Sequence, residues 1–360
     1  MDKTPIAESF TVLGMGSFGT ALAWMLDQRG YRVRWWGRSA SDVEGLRSER
    51  RNPRYLSDIV FSERMTATTD LAEALRGTQA VVSVVPAQYS RSVWQSAGHY
   101  GFGVDGRPVC CASKGIEIQS LKTLDAVYAE LFGEHASPYA CISGPTFARE
   151  LVDRQPSVAV VASHDERCAQ FFQKALSQMM FRIYTQSDVA GVELAGALKN
   201  VVAIATGISV GMDMGHNSRA AIITRGLAEM TKIAVAQGGS PTTMLGLAGI
   251  GDLILTCSGP LSRNRTLGER LGRGETLAQI QAGSGQVAEG VDTSRAAARL
   301  ARKLGIEVPV IFEINEVLFH DKSPQQAWRD LMGRALGDEV DSMGVGAWLE
   351  KHSPDQDGRL

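Results

Sequence analysis

The chain has 360 residues, 44% of them hydrophobic and 38 of them glycine, which is enough for two hydrophobic cores and too long for one. A formal net charge of -2, with no interleaving of basic and aromatic residues, offers no general attraction to nucleic acid or to an anionic membrane, so the expected partners are small molecules and protein. Five cysteines without C-x-x-C spacing and six histidines without ligand spacing exclude a structural zinc site, and the N-terminal MDKTPIAESF lacks the apolar core of a signal peptide. A reduced, cytoplasmic protein without a transmembrane segment is expected.

In chain order, an apolar strand over 10–13 runs into Gly14-Met15-Gly16-Ser17-Phe18-Gly19, and a helix follows over 20–26. In strand, G-x-G-x-x-G, helix, the first glycine permits the tight turn, the second lets backbone approach a pyrophosphate, and the third lets helix pack on sheet. A second strand over 32–36 ends at Gly37-Arg38-Ser39, where NAD enzymes usually carry a carboxylate for the ribose hydroxyls. Arg38 can stack on adenine or pair with a 2′-phosphate, so NADP is expected to be preferred, with NAD as the second cofactor. The basic segment RSERRNPR (47–54) reads as a surface loop.

Continuous β-branched runs place buried strands over 80–85, 109–112 and 140–143, with 157–161 and 181–184 completing the sheet and one antiparallel strand among the last. In open α/β sheets the ligand crevice lies past the carboxyl ends of the strands, where Lys114 and Thr146 fall.

From residue 188 the strand patterns stop and helical ones continue to about 336. The run LAGALKNVVAIATGISVGM (194–212) is small and apolar apart from one charge, Lys199. A membrane span is excluded, because a mid-helix lysine costs about 2.5 to 3.5 kcal/mol on insertion scales. The ammonium either snorkels to solvent, pairs with a buried carboxylate, or serves a site. Further on, Asp252 sits among glycine and apolar residues and should be buried and partnered. Ser262-Arg263-Asn264 lies near a helix start and suits a phosphate. Cys257 has no accompanying histidine motif that would make it a nucleophile.

The expected fold class is α/β, an N-terminal Rossmann-type doubly wound sheet followed by an all-α C-terminal domain, with the sheet domain over 8–190, the helical domain over 191–340 and a polar tail over 341–360.

The stretches VLGMGSFGTALA (12–23), NPRYL (52–56), SKGIE (113–117), SGPTFARE (143–150), VELAGALKNVVAIATGI (192–208), GLAGIGDLILTC (246–257), SRN (262–264) and VAEG (287–290) closely resemble the bacterial glycerol-3-phosphate dehydrogenase [NAD(P)+] family, in family order. The resemblance implies reversible reduction of dihydroxyacetone phosphate to sn-glycerol 3-phosphate, a phospholipid precursor. It implies Lys199 as proton donor and acceptor. It implies Lys114, Gly144, Thr146, Lys199, Asp252, Ser262, Arg263 and Asn264 as substrate contacts. Cofactor contacts would be Gly14, Gly16, Ser17, Phe18, Gly19, Arg38, Lys114, Ala148, Arg263, Val287 and Glu289. Phe18 stands where relatives often carry tyrosine or tryptophan, and the tail matches nothing in the family pattern. Two other readings stay open: a β-hydroxyacid dehydrogenase, whose Lys-x-x-x-Asn spacing this chain lacks, and a dinucleotide sensor without catalysis. Oligomeric state is not encoded in these features, and a homodimer is among the open assemblies.

Overall fold

The computed structural model describes residues 9–283, 288–336 and 339. The tail expected over 341–360 and Val287 lie outside them. The chain divides into two compact units, one running to Lys114 and resuming over Lys122–Val189, the other comprising Gly115–Leu121 and everything from Ala190 onward.

The first unit is an eight-stranded sheet ordered β3-β2-β1-β4-β5-β6-β7-β8. Its strands are β1 (Ser9–Leu13), β2 (Arg32–Trp36), β3 (Met65–Thr68), β4 (Ala80–Ser83), β5 (Val109–Cys111), β6 (Tyr139–Ser143), β7 (Ser157–Ala162) and β8 (Phe181–Gln186). All neighbours are parallel except β6 and β7, so the antiparallel pair falls among the last strands, as expected. Helices α1 (Ser17–Gln28), α2 (Ala40–Glu49), α3 (Leu71–Leu75), α4 (Ala87–Gly98), α5 (Leu124–Phe132), α6 (Ala148–Val152) and α7 (Glu166–Leu176) connect them. Alternate strand residues (Phe10, Val12, Val33, Trp35, Val82, Ile142, Val161, Ile183) form one core with Leu22, Met25, Phe172 and Leu176. The other face is buried as well (Leu13, Val81, Val109, Trp94, Tyr128), which is why these strands read as unbroken apolar runs.

Two features differ from the sequence reading. β3 lies at the sheet edge and pairs only with β2, so the sequence MTAT needs no apolar run to form it. The segment 47–54 is not a plain surface loop: α2, capped by Ser39 accepting from the Asp42 amide, extends to Glu49, and Asn52 beyond it is fully buried.

The second unit is helical: α8 (Val189–Gly211), α9 (His216–Ala236), α10 (Pro241–Met244), α11 (Asp252–Ser258), α12 (Arg263–Gly272), α13 (Leu277–Ala282), α14 (Glu289–Leu304), α15 (Pro309–Phe319) and α16 (Pro324–Met332). α8 is long and apolar enough to cross a membrane, yet 89% of its apolar window is buried inside the protein, as befits a core helix. Glycines let α8 and α12 touch backbone to backbone: a Cβ on Gly268 would fall 2.9 Å from the Gly207 Cα, and one on Gly272 2.9 Å from the Gly211 Cα. Residues Gly115–Leu121 belong to this unit, and Arg299 of α14 donates to the Ile118 carbonyl at 2.8 Å.

Glu229 of α9 caps α15. Its two carboxylate oxygens accept from the amides of Val310 (2.7 Å) and Ile311 (3.0 Å), just after Pro309 opens the helix. Burial nevertheless pushes its carboxyl up from the ordinary 4.5 to about 7, against the two amide bonds and the nearby Lys232 and Arg225. The folded state therefore holds a proton that the unfolded chain releases near pH 4.5, so this contribution is complete below pH 4.5 and is lost as pH rises through about 7. Its size is on the order of 3 kcal/mol. Glu229→Gln should flatten the fall of unfolding free energy between pH 5 and 7, measured by denaturant titration; identical pH slopes in the two proteins would contradict this assignment.

Candidate active site

In the first unit the G-x-G-x-x-G turn occupies the carboxyl end of β1, between β2 and β4, at the point where the strand order reverses. Gly14, at φ +114°, and Gly19 are required by the chain itself: a Cβ on Gly14 would fall 2.7 Å from the Val84 carbonyl oxygen, and one on Gly19 would overlap the Gly14 carbonyl. Gly16 differs, because a Cβ there would meet no protein atom within 4 Å. The 12-residue α1 begins at this open glycine with no side-chain cap and no acidic residue in its first turn. Space plus uncapped amide dipoles suits a dinucleotide pyrophosphate, so these residues fit the expected cofactor.

Ser17 and Phe18 form the first turn of α1, with Phe18 half-buried against the sheet core. Arg38 is exposed just past β2, its guanidinium 4.9 Å from the ring centroid of the half-exposed Tyr89 at the start of α4. Lys114 follows β5 and is half-buried. Gly144 follows β6, packed so that a Cβ would lie 2.8 Å from the Ala159 Cα, and the Thr146 hydroxyl donates to the Gly144 carbonyl at 3.1 Å. Ala148 opens α6 and packs on the sheet core. All of these lie on the carboxyl-end side of parallel strands, where the sequence reading put them.

In the second unit Lys199 is only 6% exposed, and its Nζ donates to Asp252 Oδ1 at 2.5 Å and to Thr256 Oγ1 at 2.7 Å. Of the three fates open to this lysine, pairing with a buried carboxylate is the one observed, which leaves a proton-transfer role open rather than excluding it. Asp252 is fully buried at the start of α11, after a π-helical turn over Leu247–Gly251, and Thr256 sits one turn on, donating to the Asp252 carbonyl. Sequence reading missed Thr256, whose only signal is its i+4 spacing from Asp252. Burial pushes the Cys257 thiol up to about 11, so it is no nucleophile.

Ser262 caps α12, accepting from the Arg265 amide at 3.2 Å, and Arg263 is exposed in the first turn. Asn264 points inward instead: it donates to Asn200 Oδ1 at 2.9 Å and accepts from the Gly290 amide at 3.0 Å, tying α8, α12 and α14 together. Glu289, one residue earlier, is half-buried at the start of α14. Among the described residues no cluster of histidine, cysteine and carboxylate suits a metal.

A doubly wound sheet with a glycine-rich turn at its switch point, and a helical unit holding a buried lysine against a carboxylate, define a nucleotide-dependent oxidoreductase. The chain belongs to the NAD-dependent glycerol-3-phosphate dehydrogenase family, whose N-terminal model matches residues 9–169 and whose C-terminal model matches 188–329. It is 47% identical over 331 residues to glycerol-3-phosphate dehydrogenase [NAD(P)+] of Myxococcus xanthus, covering 92% of this chain and 98% of the relative. The same enzyme of Citrifermentans bemidjiense is 45% identical, again over 92% of this chain and 98% of the relative. Among solved structures, glycerol-3-phosphate dehydrogenase from Coxiella burnetii superposes with a TM-score of 0.87 at 37% identity, covering 91% of this chain and 99% of that one.

The Lys199–Asp252 pair makes a prediction independent of catalysis. Asp252→Ala strands a buried ammonium and should cost about 3 to 5 kcal/mol, whereas Lys199→Met with Asp252→Leu, which removes both charges, should recover most of it. Denaturant titration checks this, and additive losses in the double variant would refute the coupling.

Proposed function

We propose that the protein catalyses the reversible NAD(P)H-dependent reduction of dihydroxyacetone phosphate to sn-glycerol 3-phosphate, supplying glycerophospholipid synthesis. Family membership supports the reaction, and one observation carries the mechanism: a lysine ammonium buried at 6% exposure and held by Asp252 and Thr256. The five cysteines are all free, which supports a reducing, cytoplasmic setting.

The nicotinamide cofactor, when bound, supplies the hydride. The chain supplies a proton, orientation and charge. Lys199 Nζ gives a proton to the oxygen that gains negative charge as the ketone is reduced, and takes one back in the reverse direction. Asp252 and Thr256 fix the direction of the Nζ–H bonds, so no reorganisation is needed at the moment of transfer. Arg263 and the first turn of α12 bind the substrate phosphate, with Ser262 shaping that turn and Asn264 holding it against α8. The family resemblance assigns Lys114, Gly144 and Thr146, past the ends of β5 and β6, to the substrate, and Gly14, Gly16, Ser17, Phe18, Gly19, Ala148 and Glu289 to the cofactor. Arg38, resting on Tyr89, presents its guanidinium N–H groups to a 2′-phosphate.

Lys199→Met keeps nearly the same volume and should lower turnover by about 10² to 10⁴, the range for losing a general acid, with NADPH binding retained. Wild-type turnover in this variant would sink the assignment. For the cofactor, NADPH should be preferred to NADH, and Arg38→Asp should reverse the order, because a carboxylate accepts from the ribose hydroxyls and repels the phosphate. The ratio of kcat/KM for the two cofactors decides it; a ratio unmoved by the substitution makes Arg38 an ordinary surface arginine.

A further inference from the structure

The dinucleotide turn has a bolt outside the glycine motif. Asn52 is fully buried, and its amide is saturated: Nδ2 donates to the Met15 carbonyl (3.0 Å) and to Thr20 Oγ1 (2.9 Å), while Oδ1 accepts from the amides of Arg54 (3.0 Å) and Tyr55 (3.2 Å). Thr20 Oγ1 in turn donates to the Gly16 carbonyl at 2.9 Å. One side chain therefore holds the Met15 carbonyl directly and, through Thr20, adds a second bond to the Gly16 carbonyl, which also accepts from the Thr20 amide at 2.8 Å as the first bond of α1. The third carbonyl of the turn, that of Gly14, accepts from the Trp35 indole at 2.8 Å.

In a trans peptide the N–H points opposite to the C=O. Tying the carbonyls of Met15 and Gly16 inward aims the N–H groups of Gly16 and Ser17 outward, on the side where Gly16 leaves open space. We infer that Asn52 is a positioning residue for pyrophosphate binding: it orients the peptide planes that receive the phosphate oxygens without touching the ligand. No other side chain of similar size does this, because the position needs two donors and two acceptors at once. Aspartate keeps the acceptors for Arg54 and Tyr55 but turns a carboxylate against the Met15 carbonyl. Alanine keeps neither.

The inference rests on the dinucleotide reading of the turn, and the experiment separates the two. ADP-ribose carries the pyrophosphate and cannot donate a hydride, so its Kd, measured by calorimetry on the full chain, reports binding without turnover. Asn52→Asp and Asn52→Ala should weaken ADP-ribose at least tenfold and speed amide hydrogen exchange in the turn, while exchange in α8 and the KM for dihydroxyacetone phosphate at saturating NADPH stay within twofold. Thr20→Val, which cuts only the relay, should weaken ADP-ribose by about two- to fivefold and serves if the Asn52 variants do not fold. Wild-type ADP-ribose affinity in Asn52→Asp overturns the positioning role, as does faster exchange in α8 to the same degree as in the turn. Failure of the unaltered protein to bind either ADP-ribose or 2′-phospho-ADP-ribose overturns the dinucleotide reading itself.

Discussion

A charged ammonium at 6% exposure is the condition to which the second unit is built. Removing such an ion from water costs several kcal/mol, recovered only when a counter-charge and further acceptors sit at hydrogen-bonding distance. Asp252 supplies the charge and Thr256 the second acceptor, and both come from α11, whose start is fixed by the glycine-rich π-helical turn before it. Lys199 must then be delivered to that point by an element that does not yield. α8 does so because its 23 residues are packed on every side.

The packing of α8 is achieved by the absence of side chains as much as by their presence. Where Gly207 and Gly211 meet Gly268 and Gly272, the two helices are closer than any Cβ would allow, and α12 is held in fixed register beside the lysine helix. Asn200 and Asn264 secure the same register with a buried hydrogen bond, and the Gly290 amide completes the network by donating to Asn264. A fully satisfied buried network of this kind gives rigidity. The result is that the N-terminal end of α12 and the ammonium of Lys199 have a set separation.

Much of this could be read from the amino-acid string, for identifiable reasons. Strands buried on both faces announce themselves as apolar runs, so β1, β4, β5, β6 and β7 were readable nearly to their ends, whereas β3, four residues of MTAT, is too short and too rich in threonine to leave such a trace even though three of its residues are buried. Lys199 and Asp252 were conspicuous because an isolated charge in an apolar run has to be explained. Their partnership was only one of several options, since nothing in the order of residues says that positions 53 apart meet at 2.5 Å. Asn264 shows the converse: its place in Ser-Arg-Asn suggested a ligand contact alone, and the structure adds that it is a strut within the helical unit. Asn52 was hidden by its neighbours, because four arginines in RSERRNPR make the stretch look solvated.

The three glycines of the turn show how to separate what a fold needs from what a ligand needs. Gly14 and Gly19 would each be glycine in a protein that bound nothing, because a Cβ at either would run into the chain's own backbone. Gly16 has no such reason: a Cβ there would meet only space. The space that Gly16 leaves lies beside the uncapped start of a 12-residue helix, and an anion is the occupant whose charge suits it. The same test applied to the carbonyls points the same way. The Gly16 carbonyl is turned inward by the first helix bond of α1, from the Thr20 amide, while those of Gly14 and Met15 are tied by side chains, Trp35 and Asn52, although a solvent-facing loop could leave such carbonyls to water at little cost. Turning every acceptor away leaves a face made of donors, which is what a pyrophosphate requires and what an unliganded turn does not.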